Sequence, residues 1–261
     1  MIAMTFRKPL AVFLLVAVNC LAQSTSNANP PAKTMSPAAS ADVKAPALDP
    51  QALVKETEQV DMQRHKIGMF WWIPYEFWET VGHRQGVDSE LVTKAFQPFK
   101  NYNVFIIAVG TLGVGQATWT DESEIKKNIV LRDQRGNSYK PIQEAPEDIR
   151  PLIELMHPIF KNIMGNFGEG MQFVVFPVKD GAGNVFADAR KNSEMFLDVS
   201  ELMGVPTSTY TWKFPLTSLS PPKYCPVGKE RVEANWKYCP WHGNKLDDSV
   251  TAPVTPAPSA K

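Results

Sequence analysis

The chain is poor in the residues that most often carry catalysis. Its 261 residues include four histidines and three cysteines, and His65, His83 and His157 show no HExxH or HxH spacing, which removes the common helical zinc-hydrolase motif. His157 sits beside Pro158 on a predicted helix and reads as a surface or interface residue. No Gly-x-Ser-x-Gly elbow is present, so the nucleophile turn of an α/β-hydrolase is excluded. Charge of one sign is lacking too. Twenty-seven basic residues balance 27 acidic ones, and without a basic surplus or tail no overall field gathers nucleic acid or an anionic surface. Phosphate loops are missing as well: Gly110-Thr-Leu-Gly113-Val-Gly115 has the wrong order for the dinucleotide fingerprint and the Walker loop, and the residues after it read as strand. The acidic stretches Asp121–Glu124 and Glu144–Asp148 read as solvated turns. No residue is nominated as catalytic.

What is present starts with a leader. Residues 1–22 carry a short basic region (Arg7, Lys8), an apolar run from Leu10 to Val18 and a small residue at Ala22, the three-part layout of a secretory signal peptide. The run falls short of the about 20 apolar residues of a comfortable bilayer span. The expected location is periplasmic or secreted. The alternative is a lipoprotein anchored at Cys20, although Asn19 stands where that signal has a small residue, and membrane contact is expected only through the leader or such an anchor. Residues 23–50, rich in Ser, Ala, Asn, Pro and Lys, are expected to form a disordered linker, and 247–261, with Pro253, Pro256 and Pro258, a disordered tail. Between them, 51–220 should hold the globular body and 221–246 a small C-terminal module. An apolar fraction of 44% and an aromatic fraction of 10% suffice for a real core.

In the body, Gln51–His65 follows Asp49-Pro50 and is predicted helical. The aromatic cluster Met69–Trp78 divides at Pro74, which keeps Ile73 extended: Phe70–Ile73 is read as strand and Tyr75–Val81 as a short helix. Ser89–Tyr102 has apolar residues at helical spacing. Val104–Val109 is a buried strand. Ile125–Leu131 and Ser138–Ile142 flank the turn Asp133–Asn137 as a hairpin, and Met171–Val178 with Val185–Ala187 flank Lys179–Asn184 as another. Glu147–Met164 is an amphipathic helix interrupted by Pro158, Tyr210–Phe214 a further strand, and no internal repeat is apparent. The expected fold is mainly β, an antiparallel sandwich with helical insertions, plus a small C-terminal β module; the alternative is an α+β sheet with helices on one face.

The module has the most specific signal. Cys225-Pro-Val-Gly228 and Cys239-Pro-Trp-His242-Gly243 read as two turns of a degenerate zinc ribbon, with Gly228 where a second Cys would sit. Cys225, Cys239 and His242 are the candidate metal ligands, and zinc the candidate cofactor. The competing and preferred state is a Cys225–Cys239 disulfide, since after loss of the leader these are an even pair in an oxidising compartment, closing a loop of about 15 residues worth about 3 kcal/mol in the chain-entropy estimate.

From Trp72 to Gly243 the chain resembles uncharacterised secreted bacterial proteins of acidobacterial type, through Trp72-Ile-Pro-Tyr-Glu-Phe-Trp78, Leu131-Arg-Asp-Gln-Arg-Gly-Asn-Ser-Tyr-Lys-Pro141, Trp212–Leu216 and Pro221–Gly243. The C-terminal part is similar to the broad zinc-ribbon class, whose members mostly serve as structural or protein-contact modules, and it departs from that class at Gly228. The resemblance implies no reaction. It fits an exported, non-enzymatic protein that contacts another envelope protein. A hydrolase or other enzyme with an unrecognised site is the first alternative, and a carbohydrate or cell-wall binder using Trp71, Trp72, Trp78 and Trp119 in a solvent-facing row is the second.

Overall fold

The computed structural model describes residues 48–84, 89–113 and 116–246; the expected leader, linker and tail lie outside them, apart from the linker's last residues. The core is built on two antiparallel sheets. In the first, β1 (Glu58–Gln63) pairs β2 (Lys66–Ile73), and β2 pairs the long β3 (Tyr102–Leu112). β3 is long enough to take two partners along its other edge, β4 (Ala117–Trp119) at one end and β7 (Gln172–Pro177) at the other. The second sheet runs β6-β5-β8-β9, from Ser138–Tyr139, Ile129–Asp133, Ser193–Val199 and Ser208–Phe214.

Aromatic side chains join the sheets. Trp212 of β9 meets Phe105 of β3 edge-on at 5.5 Å, Phe214 meets Trp72 at 5.1 Å, and Tyr210 stacks on Phe70 at 4.2 Å. Phe105, Ile106, Ile107 and Phe70 are fully buried, so nearly continuous apolar strands lie at the centre, as burial on both faces requires. The buried indoles keep their N–H groups satisfied: Trp71 Nε1 donates to Thr57 Oγ1 (3.1 Å), Trp72 Nε1 to Asn103 Oδ1 (3.2 Å) and Trp212 Nε1 to the Thr57 carbonyl (2.7 Å). The expected mainly antiparallel β fold with helical insertions is therefore observed, an arrangement that the α+β alternative also describes.

Helices fill the connections. α1 (Pro50–Thr57) is capped by Asp49 through the Gln51 amide; α2 (Tyr75–Arg84) and α3 (Ser89–Phe96) pack Phe77, Trp78 and Phe96 inward. α4 (Glu122–Lys127) is capped by Asp121 through the Glu124 amide, and α5 (Arg150–Met164) and α6 (Asn166–Glu169) precede β7.

Three expectations fail locally, one of them the second hairpin: β7 pairs β3, and Val185–Ala187 forms no strand, only an isolated bridge between Lys179 and Val185. The helix predicted over Gln51–His65 stops at Thr57, because Glu58–Gln63 registers residue by residue against Lys66–Trp71 as the first arm of a hairpin; pairing with a core strand outweighs helical propensity. Ile125–Lys127 belongs to α4 and not to the following strand, since the Asp121 cap fixes the helix start at Glu122, three residues earlier.

A local repeat escaped the sequence reading. Asp133-Gln-Arg-Gly136-Asn137 and Asp180-Gly-Ala-Gly183-Asn184 form the same turn. Each Asp Oδ1 accepts the amides two and four residues on, at 2.8–2.9 Å. Gly136 and Gly183 have φ of 87° and 85°, where a Cβ would be strained. Six residues after each Asp comes an aromatic, and these two rings, Tyr139 and Phe186, stack at 4.3 Å and 6°.

Candidate metal centre

The C-terminal module has its own small core of Cys225, Val232, Cys239 and Leu246, with Trp236 against it. Its strands are short: β10 (Lys223–Tyr224) pairs β11 (Arg231–Val232), and Tyr238 bridges Lys245. The two Cys-Pro turns have one construction. The Lys229 amide donates to the Cys225 carbonyl at 2.9 Å, and the Gly243 amide to the Cys239 carbonyl at 2.8 Å. Each cysteine amide then donates to the carbonyl five residues on, Glu230 and Asn244 respectively, both at 2.9 Å. The residue closing each turn has positive φ, 61° at Lys229 and 67° at Gly243. Position for position, Gly228 corresponds to His242, Lys229 to Gly243, and Glu230 to Asn244.

That correspondence shows what takes the place of a side chain at 228. A Cβ placed on Gly228 would lie 2.0 Å from Glu230 Oε2 and 2.5 Å from His242 Cε1, so the carboxylate of Glu230 fills the space a side chain at 228 would take. One donor atom each from Cys225, Glu230, Cys239 and His242 lies within 4.8 Å of all the others, and the group can hold a metal ion. His242 Nδ1 is 3.5 Å from both sulfurs and 3.1 Å from Glu230 Oε1, and Cys239 Sγ is 3.3 Å from Glu230 Oε1. A tetrahedral zinc with bonds of about 2.3 Å to sulfur and about 2.0–2.1 Å to nitrogen or oxygen sets donor separations of roughly 3.3–3.6 Å for these pairs. One ring nitrogen carries at most one hydrogen. Its near-equal approach to three donors is thus the arrangement of a coordination shell more than of a single hydrogen bond.

Electrostatics point the same way. Burial pushes the Cys239 thiol up, against the lowering pull of the His242 and Trp241 amides, and the neighbouring Cys225 and Glu230 push it up further. Two buried sulfurs beside a carboxylate repel negative charge unless a cation supplies the balance, and a coordinating ion deprotonates a thiol outright. Glu230 is held below the usual carboxylate range, first by its own amide, with Cys239, Cys225 and His242 also contributing.

Sequence reasoning placed Cys225, Cys239 and His242 in one site, and all three meet there. It missed Glu230; the available signal was the repeat of the Cys-Pro turn, with a carboxylate two residues beyond the vacated ligand position. The two sulfurs are close but not bonded to one another. Trp71, Trp72 and Trp78 are buried in the core, and the Trp119 ring packs on Gly170 and Phe167, so these four do not form a solvent-facing row. Gly110 is a close-approach position: a Cβ there would meet the Thr118 carbonyl and the Trp119 ring at 2.4 and 2.6 Å.

The module is tied to the body. The Ala234 amide donates to Thr217 Oγ1 at 3.0 Å and Asn235 Nδ2 to the Lys213 carbonyl on β9 at 3.3 Å, while within the module Lys223 Nζ donates to the Trp236 and Ala234 carbonyls at 2.8 and 3.3 Å. Between β9 and the module lies an open cleft of about 750 Å³, with Lys213 and Thr211 on one wall and Trp236, Tyr238 and Pro240 on the other. Glu56 lines it too, but both carboxylate oxygens are committed to the Thr217 and Ser218 amides at 2.6 and 2.8 Å. Among the described residues no helix is long and apolar enough to cross a membrane. No family model, curated protein or solved structure matches the chain.

Proposed function

We propose that the C-terminal module is a structural zinc centre, with Cys225, Glu230, Cys239 and His242 as its four ligands, in a non-enzymatic exported protein of the bacterial cell envelope. The convergence of four donors at tetrahedral spacing supports this reading. A set that closes all four positions leaves none for substrate or activated water, which is the mark of a structural as opposed to a catalytic zinc. The zinc would fix the fold of a segment too small to hold itself together by its apolar core. That segment supplies one wall of the cleft on β9 and carries the most exposed aromatic side chains among the described residues, Trp241 at 64% and Tyr238 at 61%. Aromatic rings held out on a rigid turn suit contact with another envelope protein.

Purified full-length protein should contain one zinc per chain, with the thiols of Cys225 and Cys239 reacting only after chelation. Zinc-free protein in which neither of these two thiols titrates would replace the zinc with the Cys225–Cys239 bridge. For the partner, a photo-crosslinker at Trp241 should yield one discrete adduct in the native envelope that disappears on chelation, whereas a crosslinker at Met62 on β1 should not. Equal labelling from both positions would remove the contact role.

A further inference from the structure

We infer that the centre is an oxidation-sensitive zinc store, which exchanges its metal for a Cys225–Cys239 disulfide and keeps the module folded in both states. The inference rests on the zinc reading above. Its basis is the make-up of the ligand set. Two of the four donors are sulfur and two are not, and Cys225 and Cys239 are the only cysteines among the described residues. Their sulfurs are already within 4.8 Å, against about 2.05 Å in a bridge. A four-cysteine site can oxidise into several pairings; this one has a single outcome, because the Glu230 carboxylate and the His242 ring form no bridge.

The co-reactant is a peroxide. One thiolate attacks a peroxide oxygen, the O–O bond breaks, and hydroxide leaves as a sulfenic acid forms. The second thiolate displaces the sulfenic oxygen as a further hydroxide, giving the S–S bond. Each sulfur loses one electron, the peroxide gains two, and two protons convert the hydroxides to water. Zinc keeps its charge and leaves, since Glu230 and His242 alone hold it by two bonds. The approach is from their side: His242 is exposed and Glu230 partly so, while both sulfurs are buried.

The cleft wall survives this exchange by its place in the chain. Glu233, Asn235, Trp236, Lys237 and Tyr238 lie between the two cysteines and Pro240 directly follows Cys239, and the segment is pinned at both ends by the metal in one state and by the bridge in the other. What oxidation releases is the zinc ion and the Glu230–His242 side.

Zinc content of the full-length protein is measured first, after purification in a reducing buffer and incubation with zinc. A protein that carries no zinc at that stage overturns the zinc reading, and the exchange with it. Loaded protein is then titrated with hydrogen peroxide in the presence of a chromophoric zinc chelator. One zinc should appear for every two thiols lost, with the chain lighter by two hydrogens, a Cys225–Cys239 linked peptide in the digest, and hydrogen-exchange protection kept at Trp236 and Lys237. A dithiol reductant with zinc should restore the starting state. Release of zinc with oxygen added to separate sulfurs, with chain-to-chain disulfides, or with loss of protection at Trp236 would overturn the exchange and leave the zinc reading standing. Cys225→Ser is the control: it should form no internal bridge.

Discussion

Gly228 decides the composition of the site, because the room it leaves is the room the Glu230 carboxylate occupies. Glu230→Ala should therefore weaken zinc binding by roughly 10–100-fold, about 1.4–2.8 kcal/mol, in a competition titration against a chelator of known affinity. Gly228→Cys in that background should restore or exceed the original affinity, since it rebuilds the ligand position that the other turn fills with His242. Gly228→Ala alone should weaken binding as Glu230→Ala does, its methyl displacing the carboxylate without replacing it. Lys229 holds a φ of 61°, a conformation that strains a residue with a Cβ, while the equivalent position in the second turn is Gly243. Lys229→Gly should raise the stability of the zinc-loaded module by about 0.5–1 kcal/mol in chemical denaturation. An unchanged or lowered midpoint would show that the Lys229 side chain contributes something its backbone costs do not reveal. At this scale the sequence was legible in part. Cys-Pro turns announce themselves by composition, so three members of the cluster could be read; the fourth could not, because Glu230 is identified only by aligning one turn on the other and asking what enters the space at 228.

Among the elements, the two Asp-x-x-Gly-Asn turns and the β5–β8–β9 ladder carry checkable energetics. Tyr139 and Phe186 stack face to face across the repeated turns, so the cycle Tyr139→Ala, Phe186→Ala and the double variant should give a coupling of about 0.5–1.5 kcal/mol. Additive losses would mean the rings merely share a buried surface. Arg132 of β5 reaches Asp198 of β8 through two bonds, 2.8 Å from Nε and 3.0 Å from Nη2, and Thr209 of β9 donates to the same carboxylate at 2.7 Å. The Arg132 hydrogen bonds hold the Asp198 carboxyl below its usual range despite partial burial. A carboxylate depressed in the folded state contributes stability that is present above its unfolded value, near 3.9, and is lost as pH falls through the lower folded value. Stability of Asp198→Asn should consequently fall less steeply than that of the native protein between about pH 4 and pH 2, the same slope in both excluding the assignment. The apolar runs Val104–Val109 and Phe70–Ile73 made their strands readable. β1 was not, since Glu58–Gln63 has little buried surface of its own and becomes a strand only because β2 offers it an edge.

For the molecule as a whole, the separation of two hydrophobic cores is the main mechanical fact. The body is one continuous cluster of buried aromatics and aliphatics, and the module's core is a separate group of four residues. Metal removal should therefore abolish hydrogen-exchange protection from about residue 223 to 246 while leaving β3 and β8 protected, a sub-global opening of the low-stability unit. Loss of protection in both together would show that the module is part of the body's cooperative fold. The β-rich fold could be read from its continuous apolar run and hairpin turns; the seating of the module on β9 could not, because it depends on single polar bonds such as Asn235 to Lys213. In the role proposed above, zinc would set the shape of the contact surface. The most direct measurement of that central claim is X-ray absorption at the zinc edge of the purified, full-length protein. The predicted first shell is two sulfurs at about 2.3 Å and two nitrogen or oxygen atoms at about 2.0–2.1 Å; no bound zinc, or a shell without sulfur, would contradict it.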